Sequence, residues 1–285
     1  MVREVAVVSG KGGTGKTTIA ASFIALARDL VIADCDVDAP DLHILLQPDL
    51  AKTEEFVSSK TAIIDESVCT DCKVCQNVCR FDAVFPPHVD QVACEGCGVC
   101  EYVCPEQAIS MHDKVSGQIY ESSTRFGPMV HAKLKPGEGN SGKLVTEVRK
   151  RSVRFAERAG IDLVLIDGAP GIGCPVIATI TGLYLAVVVT EPTLSGMHDM
   201  KRVLALIDKL RVRPAVIINK HDINPEVSNA IERFCRDNEV EILGRLPFDP
   251  VMTESMINRK TLPEYLSGQG PVSILDEMWR RIEAF

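Results

Sequence analysis

The chain has 285 residues, enough for one large domain or for one domain with a smaller one inserted. Hydrophobic residues make up 46% and charged residues 25%, the balance of a globular protein with a sizeable core. The formal net charge of -8 argues against general affinity for nucleic acid, which asks for a basic surface.

Residues 4–8 (Glu-Val-Ala-Val-Val) predict a short buried strand. The four apolar residues Val5 to Val8 are too few for a signal peptide or a membrane span, so a cytoplasmic protein without stable membrane association is expected. A glycine-rich loop follows, then a helical pattern through Ile19, Phe23, Ile24 and Leu26. Residues 30–33 predict a second strand, ending in the acidic run Asp34, Asp36 and Asp38. From about 61 to 112 cysteines recur at short steps and helical periodicity is lost. Strand-like pieces return at 118–120 and 129–134, and the Gly/Pro-rich stretch 135–142 reads as a loop. Beyond it, 144–159 reads as a helix, with strands at 163–166, 186–189 and 215–218 and helices at 176–181 and 200–210. Such alternation predicts a doubly wound, mostly parallel α/β sheet with ligand sites at the carboxyl ends of its strands. The cysteine stretch interrupts this pattern, which divides the chain into 1–60, an insert at 61–112, and 113–285.

The loop Gly10-Lys11-Gly12-Gly13-Thr14-Gly15-Lys16-Thr17-Thr18 lies between a strand and a helix, the context that a phosphate-binding loop needs. Its glycines let backbone N–H groups converge on phosphates, and the following helix adds its positive end. Lys16 is placed to reach the β- and γ-phosphates, and Thr17 to ligate Mg²⁺. Asp167 ends the strand at 163–166 and suits a carboxylate that holds the Mg²⁺ hydration shell. Spacing alone does not say which of Asp34, Asp36 and Asp38 positions the attacking water. Asn219 and Asp222, in Asn-Lys-His-Asp, end another strand, and this string also resembles the guanine-reading motif of GTPases.

Eight of the eleven cysteines lie between Cys69 and Cys104. They form Cys69-x2-Cys72-x2-Cys75-x3-Cys79 and then Cys94-x2-Cys97-x2-Cys100-x3-Cys104-Pro105, the bacterial two-cluster ferredoxin spacing twice over. Three thiolates on a tight loop cap one face of a cubane, and a remote fourth closes it. In such ferredoxins the fourth cysteine serves the other cluster. The resemblance therefore implies one [4Fe–4S] cluster on Cys69, Cys72, Cys75 and Cys104 and another on Cys94, Cys97, Cys100 and Cys79. Zinc is the competing reading, although it favours separated C-x-x-C pairs. Arg80, where proline is usual, alters the surroundings of the first run.

With its second lysine, Lys11, the loop resembles the deviant Walker motif of the MinD/ParA superfamily, and the whole chain resembles members with an inserted ferredoxin domain. This implies a homodimer that closes on Mg-ATP, with Lys11 reaching the partner's nucleotide. It also implies Asp36 as the first-switch aspartate, Asp167–Gly171 as the second switch, Asn219 on adenine and residues 246–249 over the base. ATP is favoured over GTP. Cys35, Cys174 and Cys235 read as small buried hydrophobes. Cys174 matches a dimer-bridging cysteine of the nitrogenase iron protein, but its expected companion is missing. Arg149, Lys150, Arg151, Arg154 and Arg158 read as a solvated helix face or an acidic partner's docking patch, and 274–282 as an amphipathic helix packed on its own domain. The combined expectation is an ATPase that couples nucleotide state to electron transfer or metal-cofactor assembly with an unidentified protein partner. The alternative is a MinD/ParA-type positioning ATPase whose clusters are structural or sensory.

Overall fold

The computed structural model describes residues 2–266 and 269–285. β1 (Arg3–Ser9) leads through the glycine loop into α1 (Lys16–Leu26), β2 (Val31–Asp34) and the short α2 (Leu42–Leu46). β3 (Asp49–Ile64) carries the chain to α3 (Val74–Val78), the hairpin of β4 (Val84–Phe85) and β5 (His88–Val89), and α4 (Val99–Val103). Then come β6 (Ile109–Thr124), β7 (Gly127–Leu134), α5 (Ser141–Ala159), β8 (Leu163–Pro170), α6 (Cys174–Ile180), β9 (Leu185–Thr190), α7 (Leu194–Lys209) and β10 (Pro214–Ile218). The chain ends with α8 (Pro225–Asp237), β11 (Glu241–Arg245), α9 (Val251–Ile257), α10 (Leu262–Leu266) and α11 (Pro271–Glu283).

The strands order as β11-β10-β9-β1-β8-β2-β7-β6-β3, and the pairings from β11 to β7 are parallel. Val5, Val7, Leu165, Ile166, Val187 and Val189 are buried on strands covered by helices on both faces, which explains their near-continuous apolar runs. Full burial of each such side chain contributes about 1.5–3 kcal/mol. α11 buries Leu275, Met278, Trp279 and Ile282, with the Trp279 ring 5.5 Å from that of Phe23, so the C-terminal helix packs on its own domain as its pattern predicts.

Two compact units result. One holds residues 1–53, 119–133 and 141–285; the other holds 54–118 and 134–140. The smaller unit is thus wider than the cysteine stretch, and part of the Gly/Pro-rich loop belongs to it. β3 and β6, sixteen residues each, cross both limits. Sequence pattern did not predict β3. Its exposed first half carries the polar string Lys52, Thr53, Glu54 and Glu55, so only pairing with a neighbour makes it a strand.

Candidate functional site

The chain leaves β1 for β2 on one side of the sheet and β8 for β9 on the other, so the order of connection reverses around β1. Ligands bind at such switch points, beyond the strand carboxyl ends. A cleft of about 550 Å³ opens there, walled by residues 12–18 with Asp36, Asp38, Asp41, Asn219, Lys220 and Phe248. Gly15 has φ 87°, and a Cβ on it would lie 2.4 Å from Asn219 Nδ2, so only glycine fits. Asn219 Nδ2 donates to the Thr14 carbonyl at 2.8 Å, and Lys220 Nζ donates to that of Gly13 at 3.2 Å. The strand end at β10 thereby buttresses the phosphate loop.

Lys16 is buried, with Nζ 2.6 Å from Asp167 Oδ1 and 3.6 Å from Asp36 Oδ2. The register of β2 on β8 sets Asp34 beside Asp167. Asp34 Oδ1 accepts from the Asp36 amide at 3.1 Å, while the buried Oδ2 has no hydrogen-bond partner among the described residues. Burial, then the Asp167 charge, push the Asp34 carboxyl well above the usual carboxylate range. Asp36 is also raised by burial, although the Lys16 ammonium opposes it. For Lys16 itself burial favours loss of the proton, but the facing Asp167 and Asp36 outweigh it and hold its pKa above the usual value. Asp167 and Asp36 thus share one buried ammonium, with Asp34 beside them.

The cysteine stretch is an internal repeat with an offset of 25 residues, visible in the hydrogen bonds. Cys69 N donates to the Asp65 carbonyl and Cys94 N to that of Asp90, both at 3.0 Å. Asp71 and Gly96 are left-handed at φ 52° and 65°, and Lys73 and Gly98 at 62° and 76°, immediately before α3 and α4. Cys79 Sγ accepts from Ala83 N at 3.4 Å, and Cys104 Sγ from Ala108 N at 3.3 Å. The two repeats also interlock: Asp65 N donates to the Ala108 carbonyl at 2.7 Å and Asp90 N to that of Ala83 at 2.8 Å. Cys75 and Cys100 are buried, which raises both thiols; Cys72 and Cys97 are exposed; the other four are half-buried. A small cavity is walled by Cys79 together with Cys94, Cys97 and Cys100. Among the described residues no three His, Cys, Asp or Glu side chains stand close enough to hold one metal ion.

Residues 5–262 match the CobQ/CobB/MinD/ParA nucleotide binding domain. The chain belongs to that family. "Uncharacterized protein MJ0578" of Methanocaldococcus jannaschii is 34% identical over 79% of this chain and 80% of its own length. The iron-sulfur cluster carrier protein of Pyrococcus horikoshii is 23% identical over 86% of this chain and 74% of its own. Among solved structures, the cell division ATPase MinD of Pyrococcus furiosus superposes with a TM-score of 0.61 at 19% identity, covering 100% of this chain and 99% of that one. The septum site-determining protein MinD of Pyrococcus horikoshii, complexed with Mg-ADP, gives 0.61 at 18%, covering 99% and 96%. The MinD-like P-loop fold with its mostly parallel sheet is therefore as the sequence predicts.

Within this MinD/ParA-family fold, the predicted residues part company in three places. Lys11 lies outside the cleft wall, with Nζ 2.7 Å from Glu191 Oε1 and donating to Thr193 Oγ1 and Ser195 Oγ at 3.3 and 3.1 Å. Asp222 is likewise outside, its Oδ1 accepting from the Phe248 amide at 2.7 Å, which ties down the loop 246–249. Gly10 is packed against Asp199, where a Cβ would meet backbone at 2.6 Å. Met252, Thr253 and Met256 of α9 line the cleft without any motif, brought there by packing alone. Cys35 and Cys235 are buried as expected, but Cys174 is exposed. Arg149 is no solvated side chain: it pairs with Glu4 and donates to the carbonyls of Ala178 and Thr181. Among the described residues no helix is long and apolar enough to cross a membrane.

Proposed function

We propose that this chain is an ATPase that binds Mg-ATP in the cleft above β1 and β8, works as a homodimer, and holds two [4Fe–4S] clusters on its cysteine repeats. The nucleotide state is then coupled to electron transfer or to assembly of a metal cofactor. One observation carries the cluster reading: the cavity wall joins Cys79 of the first run to Cys94, Cys97 and Cys100 of the second, the crossed set expected of two-cluster ferredoxins. Backbone N–H groups of Ala83 and Ala108 donate to the Cys79 and Cys104 sulfurs, the kind of hydrogen bond that tunes a cluster's ligands. Cys69, Cys72 and Cys75 with Cys104 would hold the other cluster. When bound, such clusters supply one-electron transfer at potentials tuned by charge, hydrogen bonds and exposure. Similarity to an iron-sulfur cluster carrier supports the same reading.

For the nucleotide, the excess of carboxylates around Lys16 and the orphaned Asp34 Oδ2 fit a site that receives a divalent cation. Incoming phosphates would draw Lys16 away from Asp167 and Asp36. Asp167 and Thr17 then serve Mg²⁺ and its water, and Asp36 orients the attacking water. Asp222 stands outside the cleft wall with its Oδ1 held by the Phe248 amide, a placement that favours ATP over GTP because a guanine-reading carboxylate would have to face into the cleft. The test is analytical. Anaerobically isolated protein should carry about eight iron and eight sulfide per chain. Stoichiometric zinc without inorganic sulfide would overturn the cluster reading.

A further inference from the structure

Residues 54–118 and 134–140 carry twelve Asp and Glu against five Lys and Arg, a formal charge of -7, whereas the whole chain has -8. Nearly all the net charge therefore sits on the smaller unit. That unit also exposes apolar side chains beside its cysteines. α3 and α4 pack on each other and turn outward Val74 and Val78, one turn apart, and Val99 and Tyr102. Tyr102 is 91% exposed, an unusual cost for an aromatic side chain with no packing partner. Cys72 and Cys97, the exposed cysteines of the two runs, stand two residues before Val74 and Val99.

We infer that this α3–α4 face is the docking surface for a protein partner that presents an apolar centre ringed by lysine and arginine. This names the partner class of the proposed redox or assembly function and rests on it. The sign of the charge decides among occupants. A second copy would set one unit of formal charge -7 against another, with Glu95, Glu101 and Glu106 outnumbering any excess base around the face itself, where Lys73 and Arg80 offset Asp71 and Asp82, and nucleic acid or an anionic membrane would be repelled in the same way. A basic protein surface gains from steering at long range, while Tyr102 and the three valines supply the desolvated centre. Glu95, Glu101 and Glu106, all exposed, lie within a few residues of that centre in sequence.

The test uses the full chain with its clusters, reduced anaerobically with dithionite and freed of excess. Ferricytochrome c, a basic haem protein, is the probe, and ferricytochrome b5, an acidic one, is the control. One electron leaves the chain and takes the haem iron from ferric to ferrous, followed by stopped-flow absorbance. Reduction of the basic probe should be at least tenfold faster at low salt and should slow as salt rises. Replacing Glu95, Glu101 and Glu106 together by glutamine, or making Tyr102→Ser, should each cost about tenfold with that probe. Oxidation by a small neutral quinone should not change, which separates docking from damage to the clusters. Equal rates with both haem proteins, or variants that keep the parental rate, would overturn the surface. Binding of ferricytochrome c to the oxidised chain, read by titration calorimetry, needs no electron transfer. Salt-sensitive binding that Tyr102→Ser weakens, in a chain with no reducible cluster, would uphold the surface and overturn the redox reading.

Discussion

Lys16 carries the most consequence of any single side chain in the proposed function, because Asp167 and Asp36 share its one charge and an incoming nucleotide would compete with them for it. Lys16→Ala should lower Mg-ATP affinity on the order of 100-fold, the loss of a charge-assisted contact to phosphate, as read by calorimetric titration. Asp36→Asn should keep Mg-ATP binding yet slow hydrolysis on the order of 100-fold if Asp36 orients the water. An unchanged turnover would give that role to Asp34 or Asp38. Burial holds Asp36 above the usual carboxylate value, so hydrolysis should begin to fall on acidification at a pH higher than an ordinary aspartate would require. A second residue-scale case concerns stability. Arg125 grips Glu264 through Nε and Nη2 and also donates to the carbonyls of Leu45 and Leu46. Although burial alone would raise Glu264, its hydrogen bonds from Arg125 and Thr261 dominate and hold it at about 2. A depressed folded-state pKa gives stability that is present above the unfolded value, near 4.5, and lost as pH falls toward 2. Arg125→Gln should therefore lower the melting temperature at pH 7 and flatten its fall below pH 4.5, measured by circular dichroism.

At the scale of elements, the twinned repeats allow two sharp comparisons. Gly96 and Gly98 are both left-handed, but a Cβ on Gly96 would lie 2.2 Å from the Lys60 carbonyl oxygen, whereas nothing stands within 4 Å of one on Gly98. The position equivalent to Gly98 already carries Lys73 at φ 62°. Gly98→Ala should thus cost only about 1 kcal/mol of conformational strain. Gly96→Ala adds a backbone clash to the same strain and should cost cluster content as well as stability, read by iron analysis and thermal melts. Ligation across the repeats is tested by pairing two substitutions within one run. With crossed ligands, Cys72→Ser and Cys79→Ser strike different clusters, and the double variant should lose both. With each run serving its own cluster, the double variant would keep four iron per chain, and the crossed arrangement would fail.

For the molecule as a whole, chain order matters. The polypeptide leaves the nucleotide-binding unit after Thr53, beyond the acidic run at 34–38, and rejoins it for good at Ser141, ahead of Asp167. A ligand shifts a conformational equilibrium only through its differential affinity for the two states, and the coupling is reciprocal. Coupling of ~1–3 kcal/mol would move a one-electron potential by roughly 40–130 mV, since 59 mV corresponds to tenfold. Redox titrations with and without a non-hydrolysable ATP analogue should show such a shift, and reduction should change nucleotide affinity by the matching factor. Superimposable titrations with equal affinities would mean two modules fused without communication.

What the sequence determined by itself was whatever depends on spacing along the chain. A phosphate loop is a local run between a strand and a helix, so Gly10 to Thr18 declared itself. Cysteine steps of three and four residues likewise declared a twinned repeat with an offset of 25 residues, which the backbone hydrogen bonds of the two runs reproduce. The buried strands at 4–8, 163–166, 186–189 and 215–218 were legible because a parallel sheet covered on both faces needs unbroken apolar runs. Tertiary structure decided what depends on residues far apart. The grip of Asn219 on the phosphate loop spans 205 positions, and the pairing of Lys16 with Asp167 spans 151. No local pattern foretold that Lys11 would lie on Glu191, that Asp222 would hold Phe248, or that α9 would line the cleft. β3 was hidden for the same reason: a polar strand owes its conformation to the neighbour that pairs with it, and hydrophobic periodicity carries no trace of that neighbour.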